Sequence, residues 1–359
     1  MSMYMPARSC QQTRWDASIN SMTRDALLDK LVKEGLPAEV RRASIDALSG
    51  QLERTGDASQ QQAFRMLLLR AARIAKSRGS TVVSDDLTAL AMKDASWLVT
   101  PGALEACGPL AMPIRVSVQD GPPVDAVIQA QLEQLSLPTG PDLETKYRFT
   151  TLAHGRDALA VTLAPTTWTS VNRFHTAVQR DPAWASKLPD GRWIRPMPFG
   201  DRLLPGIAVA HAIIMASDHQ VIATQRSLEV SYAPLHWSVS FEEQLNEKDV
   251  GLYEDAFTAA ARRGFREEFG AEIPARNIVP VGAVMQMDLL NLGMIMLLRA
   301  SMTAEEIRES RQSIAKDGWE AKEVRGLPLD SLDQNIANLR LHPTSELRCL
   351  ALRRWLFTQ

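Results

Sequence analysis

Cysteine is scarce in this chain. Cys10, Cys107 and Cys349 stand far apart, with no C-x-x-C pair and an odd count. That excludes a disulfide framework and a zinc knuckle and points to a reducing, cytoplasmic setting. An excess of one charge is also missing, because 40 basic and 42 acidic side chains leave a net charge of −2. Such a balance does not suit a protein that coats nucleic acid or an anionic membrane. The longest apolar stretch, 278–298, is interrupted by Gln286, Asp288, Asn291 and two glycines. A membrane-spanning helix there would hold Asp288 near the bilayer centre at a cost of about 2.5–3.5 kcal/mol. Two buried strands with a turn from Asp288 to Asn291 fit the pattern instead. Residues 1–22 lack the apolar core of a secretion signal and read as a polar tail. The chain has no G-x-x-x-x-G-K-[ST] loop, so an ATPase would have no phosphate cradle.

What remains is an ordinary globular composition, 45% apolar and 23% charged, over a length that suits two or three domains. Residues 23–100 read as a helical bundle. Leu27, Leu28 and Leu31, then Ile45, Leu48 and Leu52, then Phe64, Leu67, Leu68, Ala71 and Ile74 recur at helical spacing. Ser84 before Asp85-Asp86 is expected to cap a last helix ending at Met92. The surplus of three basic residues in 1–100 is poor support for phosphate binding. The bundle therefore reads as a surface for a protein partner or for self-association. Residues 101–203 are rich in proline and glycine and read as a linker with a small α/β segment, either separate from the next domain or part of it. Within them a strand is expected at 157–163. A helix capped by a threonine of Pro165-Thr-Thr-Trp168 follows, with Val171, Phe174 and Val178 on one face.

Residues 204–359 hold the chemistry. Two apolar strands, 208–215 and 221–226, are joined by a Ser-Asp-His turn. An amphipathic helix over 254–270 ends at Gly270 and carries Phe257, Ala260, Ala261, Gly264, Phe265 and Glu268 along one side. A glycine within a helix costs about 1 kcal/mol relative to alanine, so Gly264 implies close approach of another backbone or a ligand. Glu267 and Glu268, with Asp255 or Glu254 and with Glu242 or Glu243 from the preceding loop, offer carboxylate oxygens to a hard divalent cation. The plainer alternative is a solvated face with an Arg263–Glu267 pair worth about 0.2–0.5 kcal/mol. His211 reads as a core histidine. Met285, Met287, Met294 and Met296 read as core filling, and Thr303 with Glu306 as a capping box for a helix at 304–312.

The stretch 249–271 resembles the box of the Nudix hydrolases, G-x5-E-x7-R-E-U-x-E-E-x-G-U, in which U is bulky and apolar. Asp255 falls at the first acid, and Arg263, Phe265, Glu267, Glu268 and Gly270 fall at the arginine, apolar, paired-glutamate and glycine positions. Asp249 stands at the opening glycine, Gly264 at the first helix glutamate and Ala271 at the closing apolar position. The resemblance implies an α/β fold: a C-terminal Nudix-like α/β/α sandwich with a mixed sheet over 204–359, preceded by the all-α module. It implies hydrolysis of a nucleoside diphosphate-linked, nucleotide-like small molecule with Mg2+ or Mn2+. Glu267, Glu268 and Glu243 would be metal ligands, Arg263 would hold the carboxylates, and Asp255 or Glu243 would serve as auxiliary acid. Glu320 and Glu323 lie where relatives carry a further ligand or base, or else are surface acids. The alternative implication is a catalytically impaired Nudix fold that binds a nucleotide or protein and signals through the helical module, as the loss of the glutamate at Gly264 suggests.

Overall fold

The computed structural model describes residues 22–55, 64–92, 99–134, 144–180 and 206–358, apart from short breaks within those spans. The expected tail and residues 181–205 lie almost wholly outside the described residues. Two compact units divide the chain: Met1–Ser96 with Arg180–Asp201, and Trp97–Gln179 with Arg202–Gln359.

The first unit contains α1 (Arg24–Leu31), α2 (Ala38–Glu53) and α3 (Thr81–Met92). Thr23 caps α1 by accepting from the Ala26 amide. Leu27, Leu28, Leu31, Leu48, Leu67 and Leu68 are fully buried in one cluster, as their spacing requires. Ser84 is not a cap. Its amide donates to the Ser80 carbonyl inside α3, and the preceding turn is made by Gly79 at φ +83°. Burial of Val83 and Leu87 outweighs the weak helix propensity of Thr81-Val-Val.

In the second unit β1 (Val99–Thr100), β2 (Ala103–Cys107), β3 (Ile114–Val118), α4 (Ala126–Glu133), β4 (Lys146–His154), β5 (Leu159–Thr166) and α5 (Trp168–Arg180) come first. The expected helix from the threonine cap is α5. The Thr167 hydroxyl accepts from the Ser170 amide, and Val171, Phe174 and Val178 are buried. Then come β6 (Ala208–Met215), β7 (Gln220–Arg226), β8 (Trp237–Val239), β9 (Phe241–Gln244), α6 (Ala256–Phe269), β10 (Ile278–Gln286), β11 (Asn291–Arg299), α7 (Ala304–Ile314), β12 (Ala321–Pro328), α8 (Leu332–Ala337) and α9 (Ser345–Thr358).

The larger sheet runs β1-β2-β10-β11-β6-β7-β12, with β9 also paired to β6 and β8 to β7. It is mixed: β11 and β6 are parallel and the other pairs antiparallel. A smaller sheet has the order β3-β5-β4. Helices α6 and α7 pack on one side of the larger sheet, and Ile213, Ile295 and Leu297 share a buried cluster with α9 residues Leu347, Ala351 and Leu352. The result is an α/β/α sandwich. β11 is buried along nearly its whole length, including Met294 and Met296, which a strand covered by helices on both faces requires. Met287 and Asp288 lie outside the described residues. Among those described, no helix is long and apolar enough to cross a membrane.

Candidate functional site

Helix α6 is fixed at both ends by its own sequence. Asp255 is its N-cap, with Oδ1 accepting from the Phe257 and Thr258 amides at 3.0 Å each and Oδ2 from the Thr258 hydroxyl at 2.6 Å. Gly270 closes it in the left-handed region at φ +66°. Asp255 is thereby committed to the cap and lies about 20 Å along the helix from Glu268, at 1.5 Å per residue. The structure does not bring it to the other acids.

Arg263 is the hub of the helix. Its Nε and Nη2 form a fork onto both oxygens of Asp249 at 2.9 and 2.8 Å, Nη1 donates to Glu243 at 2.7 Å and Glu267 at 3.2 Å, and Nη2 also donates to the Gln244 carbonyl. Bidentate charge-assisted pairing of this kind fixes geometry as well as charge. The i,i+4 pair with Glu267 expected from the sequence is real, and it is one contact among five. Asp249, at the position of the motif's opening glycine, is buried and also closes a capping box with Asn246. This departure is therefore a structural partner of the motif's arginine, which sequence reasoning missed.

Glu242 and Glu243 were expected in a loop; they form part of β9, with Glu242 opposite His211 and Glu243 opposite Ala210 of β6. Alternation along the strand sends them to opposite faces. Phe241 and Glu243 turn toward α6, where a Cβ on Gly264 would collide with the Phe241 ring and lie 2.9 Å from Glu243 Oε2. Gly264 is required by this close approach. Burial raises the Glu243 carboxyl to about 7, against the pull of Arg263 and with a smaller push from the charges of Glu267 and Asp249. Glu268 is raised well above the usual carboxylate range, first by burial and then by the charges of Glu320 and Glu243, while Arg226 and Arg311 oppose the shift. Glu323 is half-buried and pairs with Arg325.

On the other face Glu242 sits in a buried network. Arg348 donates to Glu242, to the Thr344 hydroxyl and to the Val239 carbonyl, and the Thr344 hydroxyl donates to Glu242 at 2.9 Å. His211 Nδ1 lies 3.1 Å from Glu242, so the core histidine expected there is fully buried but polar in function. Burial alone would raise Glu242, yet His342, Arg348 and His211 hold it well below the usual range. Burial pushes His342 down to about 3. Arg348 within the otherwise apolar stretch Leu347–Leu352 is the sequence signal for this network.

A cavity of about 550 Å³ joins these groups to the helix α5 region, a size typical of small-molecule sites. Glu242, Glu243, Glu320, Arg226 and Lys146 line it, together with Trp168, His175, Gln286 and Asn291. Carboxylates that repel one another in a desolvated place are the donor chemistry for a hard cation. Among the described residues no group of three His, Cys, Asp or Glu side chains is placed to hold a metal ion.

No family model matches the chain, and no curated protein matches it. Among solved structures it is similar to a Deinococcus radiodurans protein at 20% identity and TM-score 0.31, over 47% of this chain and 96% of that one. It is similar to the MutT protein of Methanosarcina mazei at 14% identity and TM-score 0.31, over 42% and 95%. A third similarity is to the NUDIX domain of NrtR from Shewanella oneidensis, solved with ADP ribose, at 12% identity and TM-score 0.29, over 49% and 97%. The second and third of these carry the names MutT and NUDIX, and each of the three is matched over about half of this chain.

Proposed function

We propose that this chain is a Nudix-type hydrolase that cleaves the phosphoanhydride of a nucleoside diphosphate-linked substrate with a divalent cation. The observation that carries the reading is the position of Glu243. The helix lacks a glutamate at 264, and a carboxylate from β9 occupies the space beside that glycine, next to Glu267 and Glu268. Glu268, Glu243 and Glu267 would hold the cation, with Glu320 beside them and Arg263 fixing the orientation of Glu243 and Glu267. Mg2+ or Mn2+ suits such oxygen donors and supplies charge neutralisation of the phosphates and activation of water. The cavity behind the acids has the size for the rest of a nucleotide.

The test is phosphate or nucleotide release with Mg2+ or Mn2+ from a panel of nucleotide sugars, dinucleotides, ADP-ribose and modified nucleoside triphosphates. Turnover that disappears in Glu268→Gln supports the proposal, and no turnover across the panel removes it. A binding module without catalysis is the second reading. It is favoured by the engagement of Arg263, which already neutralises Glu243 and Glu267. Under that reading Glu268→Gln leaves ligand affinity unchanged.

A further inference from the structure

Two side-chain amides stand together in the cavity wall without a task in the reaction. Gln286 and Asn291 are direct cross-strand partners where β10 and β11 end and begin, so their side chains leave the same face about 5 Å apart. Both are buried, with Gln286 2% exposed and Asn291 5%, and both line the cavity. Asn291 is oriented from two sides: its Oδ1 lies 3.3 Å from the Ile207 amide and 3.2 Å from His175 Nε2. The His175 ring in turn meets Trp168 edge to face, with centroids 6.3 Å apart and planes at 85°. Trp168 is half-buried on the same wall. Gln286 Nε2 has no hydrogen-bond partner among the described residues.

An unpaired buried amide costs roughly 1–3 kcal/mol, and one that faces a cavity is open to a water or to a ligand that displaces it. The neighbours indicate which ligand. An indole offers a flat apolar surface, and paired carboxamides read hydrogen-bonding edges of planar heterocycles. We propose that Gln286, Asn291 and Trp168 form the subsite for the nucleobase of the substrate, with Gln286 Nε2 donating to a ring nitrogen or carbonyl of the base. The inference rests on the hydrolase reading for the other end of the ligand.

The register sets the distance between the two ends. Asn291 is level with Ile207 on one side of β6, because Leu292 pairs with Ala208, and Glu243 is opposite Ala210 on the other side. Two strand spacings sideways and three residues along β6 separate their backbones by roughly 14 Å. By that register Asn291 shares the sheet face of Ile207 and Glu242 rather than that of Glu243, so the base end and the acids are connected through the cavity that all four residues line. Helix α5 contributes Trp168 and His175 from the segment before the Nudix-like part, so base recognition draws on residues outside 204–359.

The test is calorimetric titration of the full chain, without divalent metal, with guanosine, adenosine, cytidine and uridine 5′-monophosphates, and with ribose 5-phosphate as a probe that lacks the base. At least one monophosphate is expected to bind tenfold or more tightly than ribose 5-phosphate. Gln286→Met keeps the length and removes the hydrogen-bonding groups. It is expected to weaken the preferred monophosphate about tenfold and leave ribose 5-phosphate unchanged. Trp168→Leu is expected to weaken all the bases, and it provides a second reading if Gln286→Met does not fold. Equal affinity for ribose 5-phosphate and every monophosphate overturns the proposal. So does unchanged monophosphate affinity in the folded variants. Metal-dependent turnover whose KM and base preference do not respond to either variant removes the subsite alone. Monophosphate binding that responds to the variants, in a protein without turnover on any substrate, removes the hydrolase reading and keeps the subsite.

Discussion

Glu243 and Gly264 occupy one space. The carboxylate of the strand residue lies 2.9 Å from where the Cβ of the helix residue would stand, beside the ring of Phe241. Arg263 grips both that carboxylate and Asp249. The two main departures from the family's box, at 249 and 264, therefore belong to one arrangement centred on its arginine. A glycine where an acid is expected makes room for an acid from the sheet.

Gly264→Ala should destabilise the protein. The added methyl gains about 1 kcal/mol of helix propensity, but it must displace a buried phenyl ring, and overpacking of this kind costs about 1–3 kcal/mol. A net loss of up to about 2 kcal/mol is expected, read as a lower urea midpoint at an unchanged m-value. Combined with Phe241→Leu, the loss should be smaller than the sum of the two single changes. Strict additivity would show that the ring does not oppose the methyl.

Arg263→Ala should cost more, about 3–5 kcal/mol, because it strands the buried Asp249 and the partly buried Glu243 without a counter-charge. Arg263→Lys keeps the charge but loses the fork onto both Asp249 oxygens, so an intermediate loss is expected. Adding Asp249→Asn to Arg263→Ala should recover part of the stability. If the double variant melts below Arg263→Ala, Asp249 is not the stranded group.

The elements that carry the site were legible because their signals are local. Asp255 and Gly270 bracket α6, Ser217 to His219 lie in the turn between β6 and β7, and Thr167 starts α5, each through bonds within a few residues. The roles of the acids were less legible. Asp255 stands at the motif's acid position and serves as a cap, since a cap and a catalytic acid have the same residue type at the same helix position. Glu242 and Glu243 read as loop residues because charge in a strand is unusual; Arg348, more than a hundred residues on, and Arg263 on the helix make those charges tolerable. Gln286 and Asn291 interrupt an apolar run and signalled a turn, whereas their pairing across β10 and β11 emerges only with the register.

Glu268→Gln should separate stability from activity. Burial and the charges of Glu320 and Glu243 raise the Glu268 carboxyl above its unfolded value, so its ionised form opposes folding. Its contribution is fully present while the group is protonated and is lost as pH rises through the raised pKa. The glutamine removes that loss. Without metal, the variant is expected to melt above the parent at about pH 9 and close to it at about pH 5, while losing Mn2+ affinity and turnover. A variant less stable than the parent at the higher pH would mean that Glu268 is paired rather than repelled.

Acid should unfold the second unit through the Glu242 network. Burial holds His342 neutral down to about 3, whereas an unfolded histidine takes its proton near pH 6.5. The unfolded chain then binds more protons than the folded one, so stability falls as pH drops from about 6.5 toward 3, by up to about 1.4 kcal/mol per pH unit for one such group. Glu242 adds to the fall in the same direction at lower pH, because its depressed pKa gives stability above the unfolded value that is lost on protonation. His211 is lowered by the same burial and contributes with the sign of His342. His342→Asn should therefore lower stability at neutral pH through lost packing, yet flatten its decline between about pH 6.5 and 4 by close to one proton. Chemical denaturation midpoints across that range measure the slope. A variant with the parent's slope would show that His342 is not the buried neutral imidazole that makes the fold sensitive to acid.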